Sequence, residues 1–164
     1  MRNERVYTKE QLLYKFTSLC AKSEYCIFDI RNKMVRLGVD NDIQEEVMNY
    51  LVNERFIDET RFARLFIRNK SKYNKWGVQK IRQAFYAKHI SPEIFEPLFD
   101  ETEEIDYEDT LIGLLKNKIK NIKASNEYEK KGKLVRFALQ RGFSMEQALK
   151  CSEFVIKNVD TEDS

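Results

Sequence analysis

The chain has 164 residues, of which 42% are hydrophobic and 34% are charged, so it has enough apolar material for one domain or a short array of small repeats. Five glycines and two prolines are too few for the many tight turns of an all-β sandwich, and no apolar run approaches the ~18 residues of a membrane span. The 29 Lys and Arg residues against 27 Asp and Glu give a net charge of +2.

Helical periodicity runs through the first third of the chain. The first predicted helix, over residues 8–22, opens with the Thr-x-x-Gln spacing of a capping box. A second helix is predicted over 27–37, and Gly38 ends it. A third helix, capped by Asp40 or Asn41, completes a three-helix unit.

Two further stretches repeat this layout. Asp58 can cap the first helix of the second stretch, residues 77–88 are its second helix, and Ser91 precedes a proline as the cap of its third. Ser144 can cap the last helix of the third stretch. In these two stretches the residues predicted on the stripes are Phe62, Leu65, Phe66, Asn69, Tyr73, Val78, Ile81, Phe85, Ile94, Leu98, Leu111, Leu114, Leu115, Ile119, Leu134, Phe137, Ala138, Leu139, Ala148, Cys151 and Val155.

The middle helices of the three stretches can be laid over one another at offsets of 51 and 53 residues. Each has a large apolar residue, a helix end eight residues later, one apolar residue and then a polar cap. The alternative is three unrelated helical hairpins that share ordinary capping residues. We predict an all-α protein of three tandem three-helix units: 1–57 with an N-terminal extension, a basic unit at 58–103, and 104–164 with a frayed acidic tail.

The small net charge conceals a strong segregation along the chain. Residues 61–92 contain nine Lys or Arg and no Asp or Glu, whereas residues 93–109 contain nine acidic residues and no basic one. Residues 110–141 return to nine basic residues against two acidic ones, and residues 1–57 balance nine against nine. The small net charge is therefore the sum of large local charges of opposite sign.

One basic helix is the sharpest candidate for a binding surface. Five cations, beginning at Arg61 and spaced 3, 4, 4 and 3 residues apart, fall on one helix face and repel one another. We favour a face that meets phosphates or an acidic partner; the alternative is a solvated face neutralised by the acidic stretch that follows. We name as the basic strip the full set of predicted binding residues: Arg61, Arg64, Arg68, Lys72, Lys75, Trp76, Lys80, Arg82 and Lys88.

Aromatic residues interleave with these cations. Aromatic and cationic side chains together can stack on and neutralise single-stranded nucleic acid, although each aromatic taken singly is better explained as a core residue. Trp76 is the most ambiguous, because it is placed at a turn between two helices. The aromatic residues concerned are Tyr73, Trp76, Phe85 and Tyr86.

Little in the sequence indicates catalysis. The three cysteines have neither disulfide nor zinc spacing, so we expect helix-packing thiols in a reducing cytoplasm. There is one histidine, His89, and it stands at a helix end where the other stretches have Gly38 and Gly142, which favours a role in the turn. The acidic run 100–109 lacks calcium-loop spacing and is interpreted as a solvated linker and helix start. No apolar signal-peptide core follows the first residues.

Several short segments carry a family resemblance. They are IRNKM at 30–34, GV at 38–39, RFIDETRFA at 55–63, FIR at 66–68, WGVQKIRQAF at 76–85 and KHI at 88–90. These segments resemble the RecX regulatory proteins, over residues 8–156 in all and most specifically over 55–90. The chain departs from the family pattern at Glu59, where Asp is usual, at Phe85, where Leu is common, and at His89, which replaces Gly.

The resemblance implies a cytoplasmic, all-helical protein whose three units form an elongated, curved array. It implies a modulator of the RecA recombinase in recombination and SOS repair. Such proteins bind the RecA–single-stranded DNA filament in its helical groove and hinder filament growth, ATP hydrolysis and strand exchange. On this basis we expect RecA and its filament as partners, a monomer, no membrane contact, no cofactor, no metal and no enzymatic activity.

Two other functions stay open at this point. A general helical nucleic-acid-binding module that needs no RecA would explain the charge equally well, and bare DNA would then be the partner. A small hydrolase built on His89 and a nearby acid is disfavoured, because no constellation of catalytic residues accompanies that histidine.

Overall fold

The computed structural model describes residues 6–162, and their side chains through residue 159; part of the expected N-terminal extension and the last two residues lie outside this range. The described chain consists of α-helices without a β-strand, as predicted. The helices are α1 (Lys9–Lys22), α2 (Ile27–Arg36), α3 (Asn41–Asn53), α4 (Glu59–Lys72), α5 (Val78–Ala87), α6 (Pro92–Glu101), α7 (Tyr107–Ile119), α8 (Glu127–Gln140) and α9 (Met145–Glu162).

Three helices fall in each of the three predicted intervals, which agrees with a tandem three-helix repeat. The exact borders at 57 and 103 stay a prediction, and α9 ends at Glu162, inside the segment for which a frayed tail is expected. By their contacts the residues divide into two compact units. The first comprises the chain up to Phe66 with Phe85–Leu98, and the second comprises Ile67–Ala84 with the chain from Phe99 onward.

The first compact unit contains a closed core between α1, α2 and α3. Apolar residues at helical spacing on α1 and α2 face the middle of α3, and α3 packs against both of the other helices. The residues of this core are Leu12, Phe16, Cys20, Ile30, Met34, Val47, Met48, Leu51 and Ile57.

A chain of aromatic rings joins the other helices of the first unit. Phe66 on α4 packs against Phe85 on α5, with ring centroids 5.1 Å apart. Phe85 in turn stacks on Phe95 of α6 at 4.8 Å. Phe85 and Phe95 are completely buried. The prediction that Phe85 is a core residue is therefore confirmed.

The second compact unit has its core between α7, α8 and α9. The long helix α9 packs against both of the others. The buried residues of this core are Leu111, Leu115, Leu134, Ala138, Phe143, Ala148, Cys151 and Val155.

The N-terminus of α5 docks on the turn between α8 and α9, inside the second unit. The backbone N–H of Gly77 donates to the carbonyl of Arg141 at 2.8 Å, and that of Gln79 donates to the carbonyl of Gly142 at 2.9 Å. These bonds satisfy donors that the first turn of a helix otherwise leaves unpaired. The approach requires glycine, because a Cβ on Gly77 would lie 2.4 Å from the carbonyl carbon and oxygen of Gly142.

The ends of the middle helices repeat one hydrogen-bonded turn. In each, a residue with left-handed backbone is followed by an apolar residue whose N–H reaches back five residues to a helix carbonyl. The left-handed residues are Gly38 (φ 73°), His89 (φ 58°) and Gly142 (φ 96°). The bonds are Val39 to Met34 at 3.1 Å, Ile90 to Phe85 at 3.0 Å and Phe143 to Ala138 at 3.1 Å. This shared turn supports a true repeat over three unrelated hairpins.

Most of the expected helix starts are confirmed. Thr8 and Gln11 bond each other's backbone N–H groups as a capping box. Asp58 accepts from the N–H of Arg61 at 2.9 Å, and Ser144 accepts from that of Gln147 at 3.1 Å. At α3 the N-cap residue is Asp40, although its side chain makes no capping bond.

The expected faces of the helices are wrong at several residues. Asn69, expected on the stripe of α4, and Tyr86, expected in the core, are exposed. Because α4 ends at Lys72, Lys75 does not share its face and lies instead in the following turn at φ 56°. Tyr73, expected on the apolar stripe, is past the helix end and 71% exposed. Leu65 and Leu139 lie at the edge of their stripes and are 43% and 37% exposed, because a helix buries only part of its circumference.

Candidate nucleic-acid and filament-binding surface

The basic strip is shared between the two compact units. Three of its members, Arg61, Arg64 and Lys88, belong to the first unit. The other six belong to the second unit: Arg68, Lys72, Lys75, Trp76, Lys80 and Arg82.

In the first unit, Arg61 is engaged by the protein itself. Its Nε lies 2.5 Å from Oε1 of Glu24, which is in the connection between α1 and α2. Its Nη2 donates to the carbonyls of Arg55 at 3.0 Å and Phe56 at 3.3 Å. The side chain thereby ties the start of α4 to two earlier segments, and this positions it as a structural residue.

Lys88 is engaged in a similar way. Its Nζ lies 2.7 Å from Oδ1 of Asp29 on α2 and 5.9 Å from the ring centroid of Phe62. The carboxylates that pair with Arg61 and Lys88 both come from the first repeat, 37 and 59 residues away in the chain. Local charge patterning could not reveal them, because only the fold brings these residues together.

Two arginines of the second unit also have partners. Arg68 Nε lies 3.4 Å from Oε1 of Glu104, with both side chains more than half exposed. This pair is what the alternative of neutralisation by the following acidic stretch predicts, and an exposed pair of this kind contributes little stability. The Arg82 guanidinium lies 5.3 Å from the ring centroid of Phe99. In the first unit, Arg64 is half-buried on α4.

Trp76 lies between two lysines of the second unit. The Nζ atoms of Lys70 and Lys80 lie over its ring at 4.8 and 4.7 Å from the centroid. Its backbone N–H donates to the carbonyl of Lys70 at 3.0 Å, which closes the turn after α4. Lys70 was not included in the basic strip, although the six-residue spacing across a helix end is a signal that could have suggested it.

Three lysines near this turn carry charge that the described part of the chain leaves without an ion pair. Lys72 and Lys75 are exposed, and Lys80 is half-buried beside the indole. Lys72 Nζ also lies 5.3 Å from the ring centroid of Tyr73, which is exposed. Lysines of this kind, next to exposed aromatic surface, can neutralise phosphates and contact bases.

The other chemical candidates have structural roles. His89 stacks on Phe28 with centroids 5.0 Å apart and rings 14° from parallel, and it occupies the left-handed position of its turn. In the acidic run, Asp106 caps α7 by accepting from the N–H of Asp109 at 3.0 Å, while Glu108 pairs with Lys150 at 3.0 Å. Among residues 6–159, no group of three or more His, Cys, Asp and Glu is placed to hold a metal ion.

The cysteines are buried thiols, as expected. Cys20, Cys26 and Cys151 are all free and buried. Burial raises the pKa of the Cys26 thiol to about 12. No helix in the described range is both long and apolar enough to cross a bilayer.

Two family models match the chain. The model described as "RecX, second three-helix domain" matches residues 58–96. The model described as "RecX, third three-helix domain" matches residues 106–151. The two matches lie on α4–α6 and on α7–α9.

Curated relatives agree with these models. The chain is 30% identical to Regulatory protein RecX of Clostridium tetani over 134 residues, which is 80% of this chain and 60% of that protein. It is also 30% identical to Regulatory protein RecX of Chlorobium limicola over 118 residues, which is 71% of each chain. The match therefore spans less than two thirds of the first relative's length.

Solved structures show the same fold. The crystal structure of RecX from Lactobacillus salivarius superimposes with a TM-score of 0.71 at 16% identity, covering 93% of this chain and 97% of that one. At this level of identity the likeness concerns the helical architecture alone.

Proposed function

The chain belongs to the RecX family of regulatory proteins, and from this premise we propose that it binds the RecA recombinase and the filament that RecA forms on single-stranded DNA. There it restrains filament growth, ATP hydrolysis and strand exchange. It does so as a monomer, by binding, without a cofactor or a reaction of its own.

One observation carries this proposal beyond family membership. Lys72, Lys75 and Lys80 cluster along the turn that joins α4 to α5, without an ion pair in the described part of the chain, whereas Arg61 and Lys88 are held by carboxylates. Uncompensated cations attract a polyanion such as a nucleic-acid strand or an acidic protein surface. This supports a filament contact at the α4–α5 turn.

The test is the single-stranded-DNA-dependent ATPase of the cognate RecA, with this protein titrated in. We expect a dose-dependent fall at protein concentrations well below saturation of the DNA. The triple variant Lys72→Gln/Lys75→Gln/Lys80→Gln should require at least about tenfold more protein for the same inhibition at ~0.1 M salt. Each phosphate contact contributes about 0.7 to the slope of log affinity against log salt, so the loss of three contacts lowers this slope by about 2.

A matched control removes the same charge elsewhere. Lys15, Lys22 and Lys157 are exposed and have no ion pair with any described residue, so their triple Gln variant should inhibit like the unmodified protein. Equal weakening by both triple variants would mean that net charge, rather than the α4–α5 turn, governs the effect. No inhibition by the unmodified protein would overturn the proposed function.

The same cations also favour a second function, a nucleic-acid-binding module that needs no RecA. Strong binding to bare DNA that RecA does not alter, together with an unchanged ATPase, would identify it. In that case the salt dependence of binding to bare single strands would give the number of phosphates held.

A further inference from the structure

A second cationic feature of the molecule shares no residue with the basic strip. It is a cleft of about 330 Å³ that lies wholly within the second compact unit. One wall is the end of α7 and the connection after it, which supply Lys118 and Lys123. The other wall is α8, which supplies Lys133 and Arg136.

The lining of this cleft has four cations and no carboxylate. Lys133 donates from Nζ to the carbonyl of Lys123 at 2.5 Å and lies 3.5 Å from Glu129. Lys118, Lys123 and Arg136 form no ion pair with any residue between 6 and 159. Positive charge at this density is unfavourable without an anion to compensate it.

Two acids of the same unit pair with lysines that do not line the cleft. Glu153 on α9 pairs with Lys131 at 2.6 Å, and Glu108 on α7 pairs with Lys150 at 3.0 Å. Glu129, which pairs with Lys133, is the one carboxylate that the described residues bring to a lining cation, so three of the four lining cations stay without an ion pair.

The chemistry of the lining selects one class of ligand. Lys118 Nζ and the Arg141 guanidinium lie over the ring of Phe137, at 5.2 and 5.6 Å from its centroid, so cations cover this aromatic side chain. The remaining polar groups, the side-chain amides of Asn121 and Gln140, offer further N–H donors. A group of donors with a guanidinium fork and no open stacking platform suits phosphate oxygens better than bases.

We propose that this cleft binds the phosphodiester backbone of a single-stranded nucleic acid, as a contact separate from the α4–α5 turn. The proposal goes beyond filament modulation, because it concerns binding of the strand itself and does not require RecA. Lys123 and Arg136 contact successive phosphates. Phe137 holds Lys118 in position to contact the same strand.

The test measures binding of a fluorescent oligo-dT strand to the full chain by anisotropy, without RecA, over a series of salt concentrations. The variant Lys123→Gln/Arg136→Gln should lower the slope of log affinity against log salt by about 1.4, which is roughly a 25-fold loss at ~0.1 M relative to ~1 M salt. The control Lys116→Gln/Lys157→Gln removes the same charge from exposed positions outside the cleft and should change the slope much less. Equal slopes for the two variants would overturn the proposal.

A second measurement uses the unmodified protein and so does not depend on the folding of a variant. Lysine acetylation is mapped by mass spectrometry with and without the oligonucleotide. Lys118 and Lys123 should be protected by the strand and Lys116 should not. Protection of the cleft lysines by inorganic tripolyphosphate but not by the strand would overturn the proposal in favour of a free polyphosphate ligand. The RecA ATPase test of the proposed function stands apart from both results.

Discussion

Left-handed backbone at helix ends is supplied by glycine at some positions of this chain and by larger residues at others. Arg55, Lys75 and His89 adopt φ of 59°, 56° and 58°, whereas Gly38 and Gly142 serve the same purpose elsewhere. A side chain with a Cβ pays an energetic cost in this region, of roughly 1–2 kcal/mol. At His89 the ring stacking on Phe28 offsets part of that cost.

Lys75 is the position where this strain can be separated from charge. The variant Lys75→Gly should raise the free energy of unfolding by about 1 kcal/mol, because glycine adopts φ near 56° without a steric penalty. Denaturant unfolding measures the change. The control Lys72→Gly makes the same substitution at the last residue of α4 and should lower stability by up to ~1 kcal/mol. A loss of stability in both variants would contradict the assignment of strain to Lys75.

Glu59 makes the folding stability of the protein depend on pH. Burial raises the pKa of its carboxyl group above the ordinary 4.5; the backbone N–H of Ile27 opposes this shift by donating to it, and the charge of Asp29 adds to it. Because the folded-state pKa is the raised one, the stabilising contribution is complete below about 4.5 and is lost as the pH rises through the folded-state pKa.

Glu59→Gln keeps an acceptor for the N–H of Ile27 but carries no charge. The melting temperature of this variant minus that of the unmodified protein should therefore increase between about pH 4 and about pH 7. Thermal melts by circular dichroism at matched ionic strength measure it. A melting-temperature difference that stays constant over this pH range would show that the Glu59 carboxyl group does not cause the pH dependence.

At the scale of elements, the docking of α5 on the α8–α9 turn leaves no room for a side chain at Gly77. Gly77→Ala should lower the free energy of unfolding by about 1–3 kcal/mol or more, because the new Cβ would meet backbone atoms of Gly142 and Phe143 at 2.4 to 2.5 Å. Gly113→Ala is the matched control. It lies inside α7 with nothing within 4 Å of the new Cβ, so alanine should stabilise the helix by up to ~1 kcal/mol. Chemical denaturation of both variants would falsify the docking argument if Gly77→Ala proved harmless.

The helices themselves were the predictable part of this molecule. Capping signals at Thr8, Asp58 and Ser144, with apolar residues at a period of 3.6, place most helix starts correctly, since these determinants lie within a few residues of one another. The end of α4 was missed, because neither glycine nor proline marks it and Lys75 takes the left-handed turn.

For the whole molecule, the sequence predicts which residues of the binding surface are basic, but not which of them are already paired with carboxylates of the protein. Arg61 and Lys88 belong to the basic run by sequence, yet Glu24 and Asp29 engage them from the first repeat. Such pairs depend on contacts between residues far apart in the chain, which periodicity and charge counting do not contain. The family resemblance over 55–90 was specific, and the matched models at 58–96 and 106–151 confirm it.

The bond from Gln79 to Gly142 also has a consequence for synthesis of the chain. The carbonyl that completes the first turn of α5 is translated 63 residues after the N–H that it accepts from. At roughly 5–20 residues per second, a ribosome needs about 3–13 s to cover that distance. Throughout that interval the first turn of the nascent α5 lacks this acceptor, so the middle repeat completes its hydrogen bonds only after the α8–α9 turn has left the exit tunnel.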